Sequence, residues 1–216
     1  MKIALLGAES TGKTQLAGEL AAYLRQQGKS VAVVGEVLRE WCEREGRTPR
    51  PEEQMPIAQE QERRVDEAAQ HNEFVIADTT ALMVAIYSAM LFEDGSLHRF
   101  ALERQTSYDL TLLTGLDLPW VADGLQRDGP HVREPVDALV RAALARAGVP
   151  YRMVYGQGQE RLANAVSAID SIAGETRGIR TPGRFVSENR PWTWICDKCS
   201  DPECEHRLFT RLHAQD

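Results

Sequence analysis

Cysteine is scarce in this sequence, positive charge is in deficit, and no apolar run is long enough to cross a bilayer. Each shortage excludes something. The chain has 4 cysteines, Cys42 alone and Cys196, Cys199 and Cys204 crowded together. They make no disulfide framework, which would need an oxidising compartment that nothing else supports. The 25 Lys+Arg against 32 Asp+Glu give a net charge of −7, which argues against a protein that coats nucleic acid. Residues 1–7 hold too short an apolar stretch for a signal peptide and break at Gly7. The chain is expected to be cytoplasmic, with no membrane partner.

What remains is an ordinary globular composition, 43% hydrophobic and 26% charged over 216 residues, too apolar for a disordered chain. The length suits one α/β domain with an appendage, or two small domains. Charge divides the two: residues 174–216 carry seven charges of each sign, so the −7 belongs to the body before them.

In the body, short apolar runs alternate with helical patterns, as in a parallel sheet covered by helices. Strands are expected at 2–6, 30–34, 74–77, 110–113 and 151–154. Helices are expected at 13–27, 36–45, 56–70, 81–91, 97–106, 136–147 and 159–172, with a loop over 115–134. This is a three-layer α/β/α sandwich on a five-stranded, mostly parallel sheet, spanning residues 1–173. Gly178, Pro182, Gly183 and Pro191 then interrupt any periodicity, so 174–195 reads as a linker or arm and 196–216 as a separate tail.

The segment Gly7-Ala8-Glu9-Ser10-Thr11-Gly12-Lys13-Thr14 matches G-x-x-x-x-G-K-[ST] in full, between an apolar strand and an amphipathic helix. Its glycines let the backbone curl so that N–H groups point at phosphate oxygens, and the helix N-terminus adds partial positive charge. Lys13 can reach the β- and γ-phosphates of ATP, and the Thr14 hydroxyl can coordinate Mg²⁺. The third strand runs into Asp78, at the sheet end where ligands bind. Asp78 can hold Mg²⁺ through water or accept a proton from an attacking hydroxyl; the competing reading makes it the cap of the helix at Ala81. Glu36, after the second strand, faces the same crevice and rivals Asp78 as the base, or is a first-turn acid favoured by the helix dipole. Arg39 shares its helix face and binds substrate or pairs with Glu36. Arg127 and Arg133, in the long charged loop, are candidates for neutralising the transferring phosphoryl group, against a reading as plain surface arginines. Gly156-Gln157-Gly158-Gln159 either lets the backbone approach a flat base or is a plain turn.

In the tail, Cys196-x₂-Cys199-x₄-Cys204-x-His206 offers three thiols and an imidazole, a donor set that suits structural Zn²⁺. His213 is an alternative fourth ligand, and an iron–sulfur cluster or unliganded cysteines are the competing readings. Trp192 and Trp194, interleaved with Arg177, Arg180, Arg184 and Arg190, could bind single-stranded nucleic acid. The acidic body favours the plainer reading, tryptophans anchoring the tail.

Several of these segments together resemble the ribosylnicotinamide kinase domain of the NadR family. They are Gly7 to Thr14, Glu36-Val37-Leu38-Arg39-Glu40, Asp78-Thr79-Thr80, Tyr108-Asp109-Leu110-Thr111-Leu112-Leu113, Leu118-Pro119-Trp120 through Arg127, and Gln159-Glu160-Arg161. The resemblance implies a nucleoside-kinase fold and transfer of the ATP γ-phosphate to the 5′-hydroxyl of nicotinamide riboside. Full-length members carry an adenylyltransferase domain before this one. Here the phosphate loop begins at residue 7, so that domain is not expected. The rival from another class is a regulatory P-loop ATPase switch whose zinc-bearing tail meets a protein or nucleic-acid partner.

Overall fold

The computed structural model describes residues 1–121 and 129–176. Five strands, β1 (Lys2–Leu6), β2 (Val31–Val34), β3 (Phe74–Asp78), β4 (Leu110–Thr114) and β5 (Arg152–Val154), form one sheet in the order β2-β3-β1-β4-β5. All four pairings are parallel, with Leu5 opposite Asp78 and Leu6 opposite Leu113. From β1 the chain passes to the edge strand β2, returns through β3 beside β1, and then crosses to β4 and β5 on the other side. The crevice at the C-terminal end of β1 is therefore the switch point where such sheets bind ligands.

Helices α1 (Lys13–Gln26), α2 (Val37–Glu45), α3 (Pro51–Ala69), α4 (Ala81–Phe92), α5 (His98–Gln105), α6 (Arg133–Ala147) and α7 (Gln159–Thr176) cover the sheet. Alternate residues of β1 serve opposite layers, as the strand period of two requires. Ile3 and Leu5 pack with Leu16 and Leu20 of α1 and Ile169 of α7, whereas Leu6 packs with Ile57, Leu82, Val140 and Leu144 from α3, α4 and α6. Coverage on both faces is why β1 reads as an unbroken apolar run. Each such leucine or isoleucine contributes about 1.5–3 kcal/mol by leaving water.

Three boundaries differ from the sequence expectation by more than one residue. Helix α3 starts at Pro51, not at residue 56, and carries Pro56 in its interior. Pro51 takes the first helical position, where a missing N–H costs nothing, and the Glu53 carboxylate accepts the Arg50 backbone N–H at 2.7 Å. Helix α6 starts at Arg133, preceded by a 3₁₀ turn at Pro130–Val132, so the expected loop over 115–134 ends earlier. Helix α7 runs on to Thr176, past the expected end at 172 and past the proposed domain boundary. The expected linker beyond residue 176 and the tail lie outside the described residues. Among the described residues no helix is long and apolar enough to cross a membrane.

Candidate functional site

The phosphate loop turns from β1 into α1 through left-handed or glycine-only backbone at Gly7 (φ 146°), Ser10 (φ 55°) and Gly12 (φ 73°). Gly7 is a steric necessity as well: a Cβ there would stand 2.1 Å from Thr114 Oγ1. That hydroxyl is fixed, donating to Leu6 O at 3.0 Å and lying 2.7 Å from Thr11 Oγ1. Thr11 in turn donates to Ala8 O at 2.8 Å. Glu9 and Thr11 are buried, and Lys13 Nζ donates to the carbonyls of Gly7 (2.9 Å) and Ala8 (2.8 Å), arching over the loop. The ammonium, the loop amides and the start of α1 thus share one concave, electropositive end of the sheet.

Asp78 meets Thr14 directly, and Glu36 reaches it through Arg39. The Thr14 hydroxyl donates to Asp78 Oδ2 at 2.5 Å. Arg39 Nη1 stands 3.5 Å from the same hydroxyl, and Arg39 Nη2 pairs with Glu36 at 2.9 Å. Asp78 is 3% exposed, and its Oδ1 is buried with no hydrogen-bond partner. Thr80, not Asp78, caps α4: Thr80 Oγ1 accepts from the Leu82 N–H at 3.2 Å and donates to Gln105 Oε1 at 2.7 Å. Between them Thr79 holds φ 73°, an arrangement a β-branched residue adopts only under constraint. A buried carboxylate oxygen without a donor, next to a threonine hydroxyl, is a hard-oxygen set that fits Mg²⁺. Among the described residues no cluster of three or more His, Cys, Asp or Glu could hold a metal ion, and the zinc expectation at Cys196, Cys199, Cys204 and His206 lies outside them.

The strand-end loops complete the site. After β4, the Val121 N–H donates to Ser10 Oγ at 2.8 Å, and Leu118 lies over Gly12. Residues 122–128, with Arg127, are outside the described residues. Arg133 is not in the loop but opens α6; it is 8% exposed and donates to Leu116 O at 3.2 Å. Burial pushes its pKa below the usual arginine value, with Asp117 pulling back.

Sequence reasoning gave Arg161 no role, yet it joins three segments. Its guanidinium donates to Thr11 O (2.7 Å) and Gly156 O (2.8 Å) and pairs with Asp117 at 3.3 Å. Only tertiary proximity reveals this, since one arginine in a first helical turn carries no signal of its own. Beside it lies a cavity of about 200 Å³, lined by Gly12, Gln15, Leu118, Gln157 and Gly158 among others. The Gly-Gln-Gly turn after β5 thus walls a cleft beside the phosphate loop.

A family model described as an AAA domain matches residues 2–161. Among solved structures, a NadR protein in complex with NAD and AMP-PNP aligns with a TM-score of 0.62 at 19% identity, covering 80% of this chain and 49% of that one. A NadR protein in complex with NR gives 0.64 at 18% identity, with the same coverage. Thymidylate kinase from Ehrlichia chaffeensis gives 0.55 at 14% identity, covering 80% of this chain and 98% of that one. This chain spans about half the length of the NadR chains it matches. The likeness bears out the fold that the sequence resemblance implied, a P-loop fold of nucleoside- and nucleotide-kinase type. No curated protein matches the chain by sequence.

Proposed function

The chain belongs to the AAA domain family, and from that premise we propose that it is a phosphotransferase, moving the γ-phosphate of ATP to a hydroxyl of a small nucleoside. One observation carries the reading: the phosphate loop's Thr14 hydroxyl sits on the buried Asp78 carboxylate, whose second oxygen has no partner, with Glu36 and Arg39 alongside. Two acids beside the phosphates suit an acceptor that must lose a proton. The acceptor we propose is nicotinamide riboside, on the motif resemblance and on the NadR structure solved with NR.

In this reading the base of ATP enters the cleft at Gln157 and Gly158, and Lys13 with the loop amides holds the phosphates. Thr14 and Asp78 would hold Mg²⁺, which when bound neutralises charge on the phosphates. Asp78 or Glu36 receives the acceptor's proton. Arg127 is the candidate for stabilising the transferring group, while Arg133 supports the loop through Leu116 O. The remaining work is positioning and exclusion of water. We extend the proposal to a structural Zn²⁺ on Cys196, Cys199, Cys204 and His206; metal analysis of protein purified without chelator should find about one equivalent, and less than half would refute it.

The deciding assay incubates the protein with Mg-ATP and a nucleoside panel that includes nicotinamide riboside, following ADP and phosphorylated product together. ADP should appear only with acceptor and in step with product. Hydrolysis of ATP without acceptor would favour the regulatory switch instead.

A further inference from the structure

Two adjacent residues of α3, Gln61 and Glu62, touch none of the phosphate-loop groups, yet each holds the start of a helix that follows one of the acids. Gln61, 1% exposed, accepts the Val37 backbone N–H on its Oε1 at 2.9 Å. Glu62, 2% exposed, accepts the Ala81 backbone N–H on its Oε1 at 2.9 Å. Val37 opens α2 directly after Glu36, and Ala81 opens α4 three residues after Asp78. Neither N–H has a local acceptor. Glu36 makes no capping bond to α2, its carboxylate being paired with Arg39, and Thr80 is engaged with the Leu82 N–H.

Successive residues on a helix point about 100° apart, so neighbours on α3 reach elements on either side of it. Glu62 is itself anchored from behind: Tyr108 donates its hydroxyl at 3.1 Å, and Arg104 stands 3.6 Å away. The two helix starts so held lead back to Thr14 Oγ1, that of α4 through Asp78 three residues before it and that of α2 through its Arg39, paired with Glu36. Helix α3 therefore closes a frame whose far corner is the threonine of the phosphate loop. Burying two polar side chains side by side has no packing advantage over leucine, but it fixes two backbone positions that leucine could not.

We propose that Gln61 and Glu62 are positioning residues that set the separation of Glu36 and Asp78 across Thr14, and with it the Mg²⁺ affinity of the nucleotide complex. The proposal rests on the Mg²⁺-nucleotide part of the reading above and not on the identity of the acceptor.

The test is Mg²⁺ titration of the binding of a fluorescent ATP analogue to the full chain, with thermal unfolding of every variant alongside. Gln61→Leu and Glu62→Leu remove the acceptor and should raise the Mg²⁺ midpoint roughly tenfold, as loss of a metal site's outer support does. Glu62→Gln keeps a carbonyl for the Ala81 N–H and should stay within about twofold of wild type. Leu at position 62 also leaves the Ala81 N–H and the Tyr108 hydroxyl unpaired, so thermal unfolding identifies any general loss of stability and midpoints are compared among variants that are folded at the assay temperature. If Glu62→Leu fails to fold, Gln61→Leu decides the matter alone. Wild-type midpoints in folded Gln61→Leu, or a Glu62→Gln midpoint raised as far as that of Glu62→Leu, would overturn the proposal, as would Mg²⁺-independent binding in the wild type. Shifted midpoints in a protein that phosphorylates no nucleoside would leave it standing and remove the kinase reading instead.

Discussion

Arg161 Nη2 donates to the Thr11 carbonyl at 2.7 Å, joining α7 to the phosphate loop across 150 positions of sequence. The same guanidinium holds Gly156 O and Asp117, so one side chain sets both the loop that takes phosphate and the turn that walls the neighbouring cleft. Truncation to alanine leaves these acceptors without their donor. The cost should be about 3 kcal/mol, the low end for a broken buried pair because Asp117 is 28% exposed. In a chain of this size that corresponds to a fall of roughly 6–12 °C in melting temperature. Arg161→Lys keeps the charge but not the planar fork, and should recover only part of the loss. Thermal unfolding measures the first effect, and fluorescent-ATP titration should show weaker nucleotide binding in both variants.

Gly7 and Gly12 both have positive φ but differ in what a side chain would meet. At Gly7 the obstacle is Thr114 Oγ1 at 2.1 Å, fixed by its hydrogen bond to Leu6 O. At Gly12 it is Leu118 Cδ1 at 2.9 Å, the end of a side chain that can turn away. Gly12→Ala should therefore cost only the left-handed backbone penalty of about 1–2 kcal/mol and keep measurable ATP binding. Gly7→Ala adds overlap to strain and should abolish it. Equal affinities in the two variants would contradict this account.

The parts of the molecule that were legible in the sequence are those whose signal is local. An apolar run followed by the glycine loop marks β1 and α1, and the run ending in Asp78 marks β3, because each strand is buried on both faces. The kinase-type sheet follows from five such runs spaced by helices. Helix α3 was legible only in part. Two prolines compete for its first position, and only the Glu53 bond to the Arg50 N–H selects Pro51 over Pro56. The expectation of a polar helix there said nothing of Gln54, Gln61 and Glu62 being buried, because their partners lie far away in sequence. Arg133 and Arg161 had the same problem: nothing adjacent distinguishes a buried guanidinium that holds a carbonyl from one in water.

Glu62 also makes stability depend on pH in a definite direction. Burial pushes its carboxyl above the ordinary value of 4.5, against the opposing pull of the Ala81 N–H, the Tyr108 hydroxyl and Arg104. Between 4.5 and the raised value the folded chain binds more protons at this site than the unfolded chain does. Glu62 therefore contributes a stability that is complete below 4.5 and is lost as pH rises through the raised value. Glu53 and Glu60 act oppositely. Hydrogen bonds from Arg47, and from Arg63 and Arg64, hold them at about 2, so what they contribute is lost as pH falls from 4.5 towards 2. Both are on the surface and screened by solvent, so their effect is small. Urea unfolding of the wild type and Glu62→Gln across about pH 4 to 8 isolates the buried group. The stability of the wild type relative to the variant should decline as pH rises, and a flat difference would show that Glu62 does not titrate there.

Asp78→Asn separates catalytic charge from structure. The asparagine carbonyl can still accept from the Thr14 hydroxyl, so the geometry at 2.5 Å has a replacement, but no carboxylate remains for Mg²⁺ or for a proton. Removing a buried charge with one unpartnered oxygen should leave the melting temperature at or above the wild-type value. Acceptor-dependent ADP formation should nevertheless fall by roughly 100-fold or more. With EDTA present the two proteins should bind an ATP analogue alike, and the gain in affinity on adding Mg²⁺ should appear only in the wild type. Glu36→Gln supplies the contrast that assigns the base. If Glu36 takes the proton, that variant loses turnover while keeping the Mg²⁺ gain. If Asp78 takes it, Glu36→Gln keeps most of its acceptor-dependent turnover, because the Asp78 carboxylate is still in place beside Thr14.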